Sequence, residues 1–140
     1  MKRSSTLSSG VRPSRVPRLL PRTVIAAVDA GKYFGVRAGA RTDHRFIGIW
    51  MVAVGGRVFA RSWTIKPDGW FKTFLKDPLG AIQVGKRTLR IRAARVRSAK
   101  MLDAIEDAYA AKYTTPGSKM FVRGFRTARR RAATVEFVPR

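Results

Sequence analysis

Two glycine turns in the middle of the chain constrain its fold more than any other feature. Gly55-Gly56 separates the apolar run of residues 47–54 from residues 58–63, and Gly85-Lys86-Arg87 separates residues 80–84 from 88–96. Glycine readily adopts the positive φ that a tight hairpin turn demands, so both segments are expected to be antiparallel hairpins. In the second, Leu89-Arg90-Ile91-Arg92 alternates with period two, as a half-buried strand does. Residues 47–54 are instead apolar almost throughout, which reads as one strand buried on both faces.

The remaining pattern fits around these hairpins. Residues 23–30 read as a short helix ended by Gly31, with Val24, Ala27 and Val28 on one face, followed by a strand over 33–38 and a polar loop over 39–44. Pro67-Asp68-Gly69 and Asp77-Pro78 bracket one or two helical turns at residues 70–75. Ser98 is a candidate N-cap for a helix over 99–113, whose stripe is Met101, Leu102, Ile105, Ala108, Tyr109 and Tyr113. Residues 114–131 are basic and poorly periodic and are read as irregular, and residues 133–138 as a closing strand. Serial strands joined by short turns make an antiparallel sheet, and a sheet that curls on itself hides its edges. The expectation is mainly β with α: a small antiparallel β-barrel with one packed helix in the C-terminal half. Without βαβ alternation, a dinucleotide-binding doubly wound sheet is disfavoured.

At 140 residues the chain supports one core. It lacks cysteine and has a single histidine, His44, so disulfides, zinc-thiolate sites and multi-histidine metal sites are excluded. No apolar run approaches the roughly 20 residues of a bilayer span, which points to a cytoplasmic protein without a membrane span. The formal charge of +22 favours polyanionic or phosphorylated partners. Part of that charge lies in residues 1–22, where Lys2, Arg3, Arg12, Arg15, Arg18 and Arg22 stand among prolines 13, 17 and 21. This segment is expected to be a disordered basic arm preceding a domain over residues 23–140. It is either a polyanion-binding arm or a targeting segment, and the proline spacing argues against the amphipathic helix of a transit peptide.

Chemistry-bearing constellations are few. In the strand 58–63, period two places Phe59, Arg61 and Trp63 on one face, opposite Val58, Ala60 and Ser62. An arginine between aromatics can pair with phosphate while the rings cover a planar body, or it can lie across ordinary core; the strand alone favours core. Trp70-Phe71-Lys72 repeats the pairing of aromatic and cation. Arg90 and Arg92, on one face of their strand, join Arg87 and the run Arg129-Arg130-Arg131 as a candidate nucleic-acid stripe, although such runs usually mark solvated faces. Arg123-Gly124-Phe125 starts like an RNA-binding signature but does not continue as one. Asp103, Glu106 and Asp107 are expected to be a solvated helix face offsetting nearby arginines rather than metal ligands. No Ser-His-Asp constellation or nucleophile elbow is present, so an enzyme of this composition would take its chemistry from an organic cofactor.

Five segments taken in order carry a family resemblance: Ile49-Trp50-Met51-Val52, residues 58–63, Gly69-Trp70-Phe71, residues 108–113 and residues 132–140. Together they resemble the bacterial domain-of-unknown-function family 2255, over about residues 23–140. That family is similar to the FMN-binding split-barrel superfamily, whose relatives include pyridoxamine phosphate oxidases and deazaflavin-dependent nitroreductases. The resemblance implies a split β-barrel, often a homodimer, that holds FMN or a deazaflavin through its phosphate. It also implies a cofactor site at Arg61, Ser62, Trp63, Trp70 and Lys72, and an oxidoreductase activity belonging to the cofactor. Where the family often has a glycine after its Arg-Ser segment, this chain has Thr64-Ile65-Lys66-Pro67. The other reading is a basic nucleic-acid binding protein without catalysis, gripping phosphates nonspecifically through the arm and through Arg87, Arg90, Arg92 and Arg129 to Arg131.

Overall fold

The computed structural model describes residues 18–41 and 43–140, so most of the expected basic arm lies outside the described residues. Helix α1 (Arg22–Ala30) leads into strands β1 (Phe34–Ala38), β2 (Ile47–Ile49), β3 (Val52–Val54) and β4 (Arg57–Arg61). Helix α2 (Trp70–Lys76), strands β5 (Leu79–Val84) and β6 (Arg87–Arg95), helices α3 (Ala99–Lys112), α4 (Pro116–Gly124) and α5 (Ala128–Arg131), and strand β7 (Thr134–Pro139) complete the order. No described helix is long and apolar enough to cross a membrane.

The strands form a single seven-stranded sheet, antiparallel at every pairing, in the order β2-β1-β5-β6-β7-β4-β3. Its two edges, β2 and β3, are separated in sequence only by Trp50 and Met51. Three Cα steps reach at most about 11 Å, so the edges must come together and the sheet must curl into a half-barrel. The single strand expected over residues 47–54 is therefore two strands. At Trp50 the chain leaves β1 as partner and takes up β4. The carbonyls of Trp50 and Met51 are bonded to side chains of α3 and the residue after it instead of to a neighbouring strand. Nor is the run buried throughout, since Ile47 is 53% exposed.

Both hairpins form where expected, with positive φ at Gly55, Gly56 and Gly85. Inside the barrel Val36, Val58, Ala60, Ile82, Ile91, Val135 and Phe137 form the main core. Helix α1 closes one end through Val24 and Val28, near the hairpin turns, where Arg87 donates to the Thr23 hydroxyl. Ala27, expected on the same face, is exposed. Helix α2 closes the other end with Trp70, Phe71 and Phe74. Gly80 makes room for it: a Cβ there would lie 2.4 Å from the Arg37 carbonyl and 2.8 Å from the Phe74 ring.

Helix α3 begins at the expected cap, the Ser98 hydroxyl accepting from the Met101 N–H at 3.2 Å. It lies outside the barrel over β3 and β4, where Ile105, Tyr109 and Tyr113 pack with Val52, Phe59 and Phe125 in a second core. Strand β4 is consequently buried on both faces. The expectation of one packed helix is too few, because residues 114–131 hold α4 and α5. Thr115 caps α4 by accepting from the Ser118 N–H, with Pro116 at its first turn.

Candidate functional site

At the seam between the sheet edges lies a cleft of about 420 Å³. Six of its lining side chains are aromatic: Tyr33, Trp50, Trp63, Trp70, Phe121 and Phe125; Ile47, Gly48, Ile49, Arg61 and Thr64 complete it. Trp50 is held by stacking on Tyr113, centroids 4.2 Å apart and planes 7° from parallel, with Phe121 and Phe125 edge-on to it. Trp63 meets the same two phenylalanines edge-on at 4.9 and 5.9 Å. The Arg130 guanidinium lies 3.7 Å above the Trp63 ring while its Nε donates to the Trp63 carbonyl at 2.8 Å. Gly124 lets α4 come this close, since a Cβ there would stand 2.5 Å from the indole. Trp63 remains 39% exposed and Tyr33 78% exposed, so the cleft opens to solvent through aromatic surface.

Beneath the cleft Arg61 is fully buried and its guanidinium is committed to protein acceptors. Nε donates to Thr134 Oγ1 at 2.7 Å, one terminal nitrogen to Glu106 at 3.1 Å and the Phe125 carbonyl at 3.0 Å, and the other to the Leu102 carbonyl at 3.3 Å. Burial lowers its pKa, opposed by the Glu106 carboxylate. Glu106 also accepts from Arg131 at 2.7 Å, and Arg131 donates to Asp103 at 2.8 Å. Asp103 and Glu106 thus offset arginines as expected, and Asp103 and Asp107 are exposed, but Glu106 is not on a solvated face: its side chain is 14% exposed and belongs to the buried floor.

Tyr109 and Tyr113 tie this floor to the seam. The Tyr109 hydroxyl accepts from the Arg61 N–H at 3.0 Å and donates to the Trp50 carbonyl at 2.8 Å. The Tyr113 hydroxyl is 2.6 Å from the Lys32 carbonyl and 3.3 Å from the Met51 carbonyl. Lys112 donates to the carbonyls of Val28 and Met51. Burial pushes both phenols well above their ordinary value and pushes the Lys112 ammonium down to about 8.

Of the five residues expected at a cofactor, Arg61, Trp63 and Trp70 line this cleft. Ser62 faces the other way, fully buried, its hydroxyl donating to the Thr64 carbonyl at 2.9 Å. Lys72 lines a second hollow of about 270 Å³ together with Arg95 and Arg129. The candidate nucleic-acid residues are dispersed. Arg90 and Arg92 stand exposed on the outer sheet face, Arg87 at the hairpin end and Arg129 exposed on α5, whereas Arg130 covers Trp63 and Arg131 binds acids. Tyr33, Trp50, Phe121 and Phe125 were not singled out as site residues by sequence reasoning. For the last two the available signal was their i, i+4 spacing after the Thr115-Pro116 start.

A crystal structure of a conserved hypothetical protein, Rv2991 from Mycobacterium tuberculosis, is similar to this chain with a TM-score of 0.56 and 13% identity, over 88% of this chain and 81% of that one. The likeness is one of fold. No curated protein matches the chain. A family model described as "Uncharacterized protein conserved in bacteria" matches residues 24–137.

Proposed function

The chain belongs to that bacterial family, DUF2255, and on that premise we propose that it binds a planar heteroaromatic cofactor of the FMN or deazaflavin class and acts as an oxidoreductase through it. The observation that carries this reading is the aromatic cleft. Its volume suits the body of a small-molecule ligand, and convergent rings from four separate parts of the chain offer stacking and edge contacts to a flat heterocycle. Trp63 and Trp70 keep the role expected of them as walls, and Arg61 takes the role of a floor, fixing α3, the segment after α4 and β7 beneath the ligand. The lining holds no carboxylate, imidazole or amine. A flavin or deazaflavin would supply the hydride or electron transfer when bound. The chain's part is to orient the ring, exclude water from one of its faces and present Tyr33 and Thr64 hydroxyls at the rim. Protein purified without denaturant, or incubated with FMN at high micromolar concentration, is expected to show a flavin absorbance band and quenched tryptophan fluorescence. Absence of uptake of FMN, riboflavin and deazaflavin alike would sink the reading. The proposal includes a cytoplasmic homodimer, with Tyr33 and Ile47 at the mouth covered by a second copy; sedimentation of the Tyr33→Asp/Ile47→Asp variant as the same species as wild type would remove that part.

A second reading, a nucleic-acid surface, is favoured by the sheet exterior. The register puts Arg37, Ala81 and Arg90 in one row and Leu79, Arg92 and Val138 in the next. On this face the only acid in those strands, Glu136, is held by Arg57 through two bonds at 2.7 and 3.0 Å, leaving Arg90 and Arg92 without an ion pair among the described residues.

A further inference from the structure

We propose that Lys72, Arg95 and Arg129 form the anion-binding half of the ligand site, receiving the phosphate of a ligand whose ring lies in the aromatic cleft. This inference rests on the cofactor reading above and moves the phosphate away from Arg61 and Ser62. Those two have no free fork or hydroxyl to offer: the Arg61 side chain is fully buried among protein acceptors, and the Ser62 hydroxyl is spent on the Thr64 carbonyl. The hollow of about 270 Å³ has the opposite character. Three elements, α2, β6 and α5, each send one exposed cation to it, and its lining contains no carboxylate. None of the three forms an ion pair among the described residues, whereas Arg57, Arg61 and Arg131 all do. Three like charges around one concavity repel unless an anion sits between them. Arg95 is further fixed by lying 5.7 Å from the Phe71 ring centroid, so the site is partly built before anything binds. Thr64 lines both hollows, which makes them neighbours across a single residue. A ligand with a flat body and a short phosphorylated tail spans that geometry; one with a neutral tail leaves the cations unanswered.

The test compares FMN with riboflavin on the full chain, reading affinity by flavin fluorescence and tryptophan quenching. Wild type is expected to prefer FMN by about tenfold or more, the size of one or two charge-assisted bonds. In Lys72→Gln/Arg95→Gln/Arg129→Gln that preference should fall to near one while riboflavin affinity stays unchanged. Lys72→Gln/Arg129→Gln, which leaves the Arg95–Phe71 contact intact, should lose most of it. A variant of equal charge loss on the outer face and the adjoining hairpin turn, Lys86→Gln/Arg90→Gln/Arg92→Gln, should keep the wild-type preference, and inorganic phosphate should compete with FMN but not with riboflavin. Equal binding of both flavins to wild type overturns the inference but leaves the cofactor reading standing. So does a preference that survives in both hollow variants, or one lost equally in the outer-face variant. Failure of both flavins to bind overturns the cofactor reading itself.

Discussion

Arg61 shows how one residue type can be identified correctly in sequence and its partners missed. Period two placed it with Phe59 on one face of its strand, and it is there; what the alternation could not reveal is that α3 covers that face. A buried fork serving four acceptors is not replaced by a point charge. Arg61→Lys is therefore expected to lose about 3 kcal/mol or more of stability in urea unfolding, because it strands buried acceptors. A phosphate-binding arginine would instead keep stability and lose ligand. Gly124 is the converse case. In sequence it was part of a failed RNA-binding signature, and nothing local reveals that an indole will press against it. Gly124→Ala, overpacking the contact with Trp63, should cost about 1–3 kcal/mol and shift tryptophan emission, checked by fluorescence and thermal melting. An unchanged spectrum and midpoint would show that the close approach is easily relaxed.

At the scale of elements, the hairpins were legible because glycine turns and period two are local signals, and the α3 cap because Ser98 precedes a helical stripe. The break at Trp50 was not, since the apolar run continues through it and only the change of partner from β1 to β4 divides it. Helices α4 and α5 are short and mostly exposed, so no broad apolar stripe marks them. The end of α3 and the residue after it hold the seam through ionisable groups, which makes the seam sensitive to pH. Lys112 titrates at about 8 in the fold against 10.5 for the ordinary group, so between those values the unfolded chain binds more protons and stability rises with pH. Tyr109 and Tyr113 act in the opposite sense: their stabilisation is complete below about 10 and is lost as the unfolded phenols ionise above it. From pH 7.5 to 9.5, urea midpoints of wild type should therefore gain on those of Lys112→Met. A flat or falling difference would show that Lys112 keeps its proton through the bonds to Val28 and Met51.

For the molecule as a whole, the charge of +22 is spread over several unlike surfaces. Part lies in residues 1–17, outside the described chain; part is neutralised in the network of Asp103, Glu106 and Arg131; part surrounds the hollow at Lys72; and part stands on the outer sheet face. Leu20 already belongs to the core and Arg22 opens α1, so a deletion meant to remove only the arm should stop at residue 17. If the outer face grips nucleic acid, the chain 18–140 should bind single-stranded oligonucleotide with an affinity that falls steeply with salt. Arg90→Gln/Arg92→Gln should then reduce the log–log slope by about 1.4, from ~0.7 per phosphate of a single strand. A slope unchanged by that pair assigns the binding elsewhere.

The position of β7 sets the order in which this molecule can be made. The last strand of the chain stands between β6 and β4, pairing residues 134–139 with strands laid down more than 70 and some 40 residues earlier. Without it the strands divide into a four-stranded set, β2-β1-β5-β6, and the hairpin β3-β4, linked along the chain at Trp50-Met51 and through residues 62–78 but sharing no ladder, each with an open edge. The barrel then closes in one late event, and a chain stopped at residue 133 should unfold without a cooperative transition.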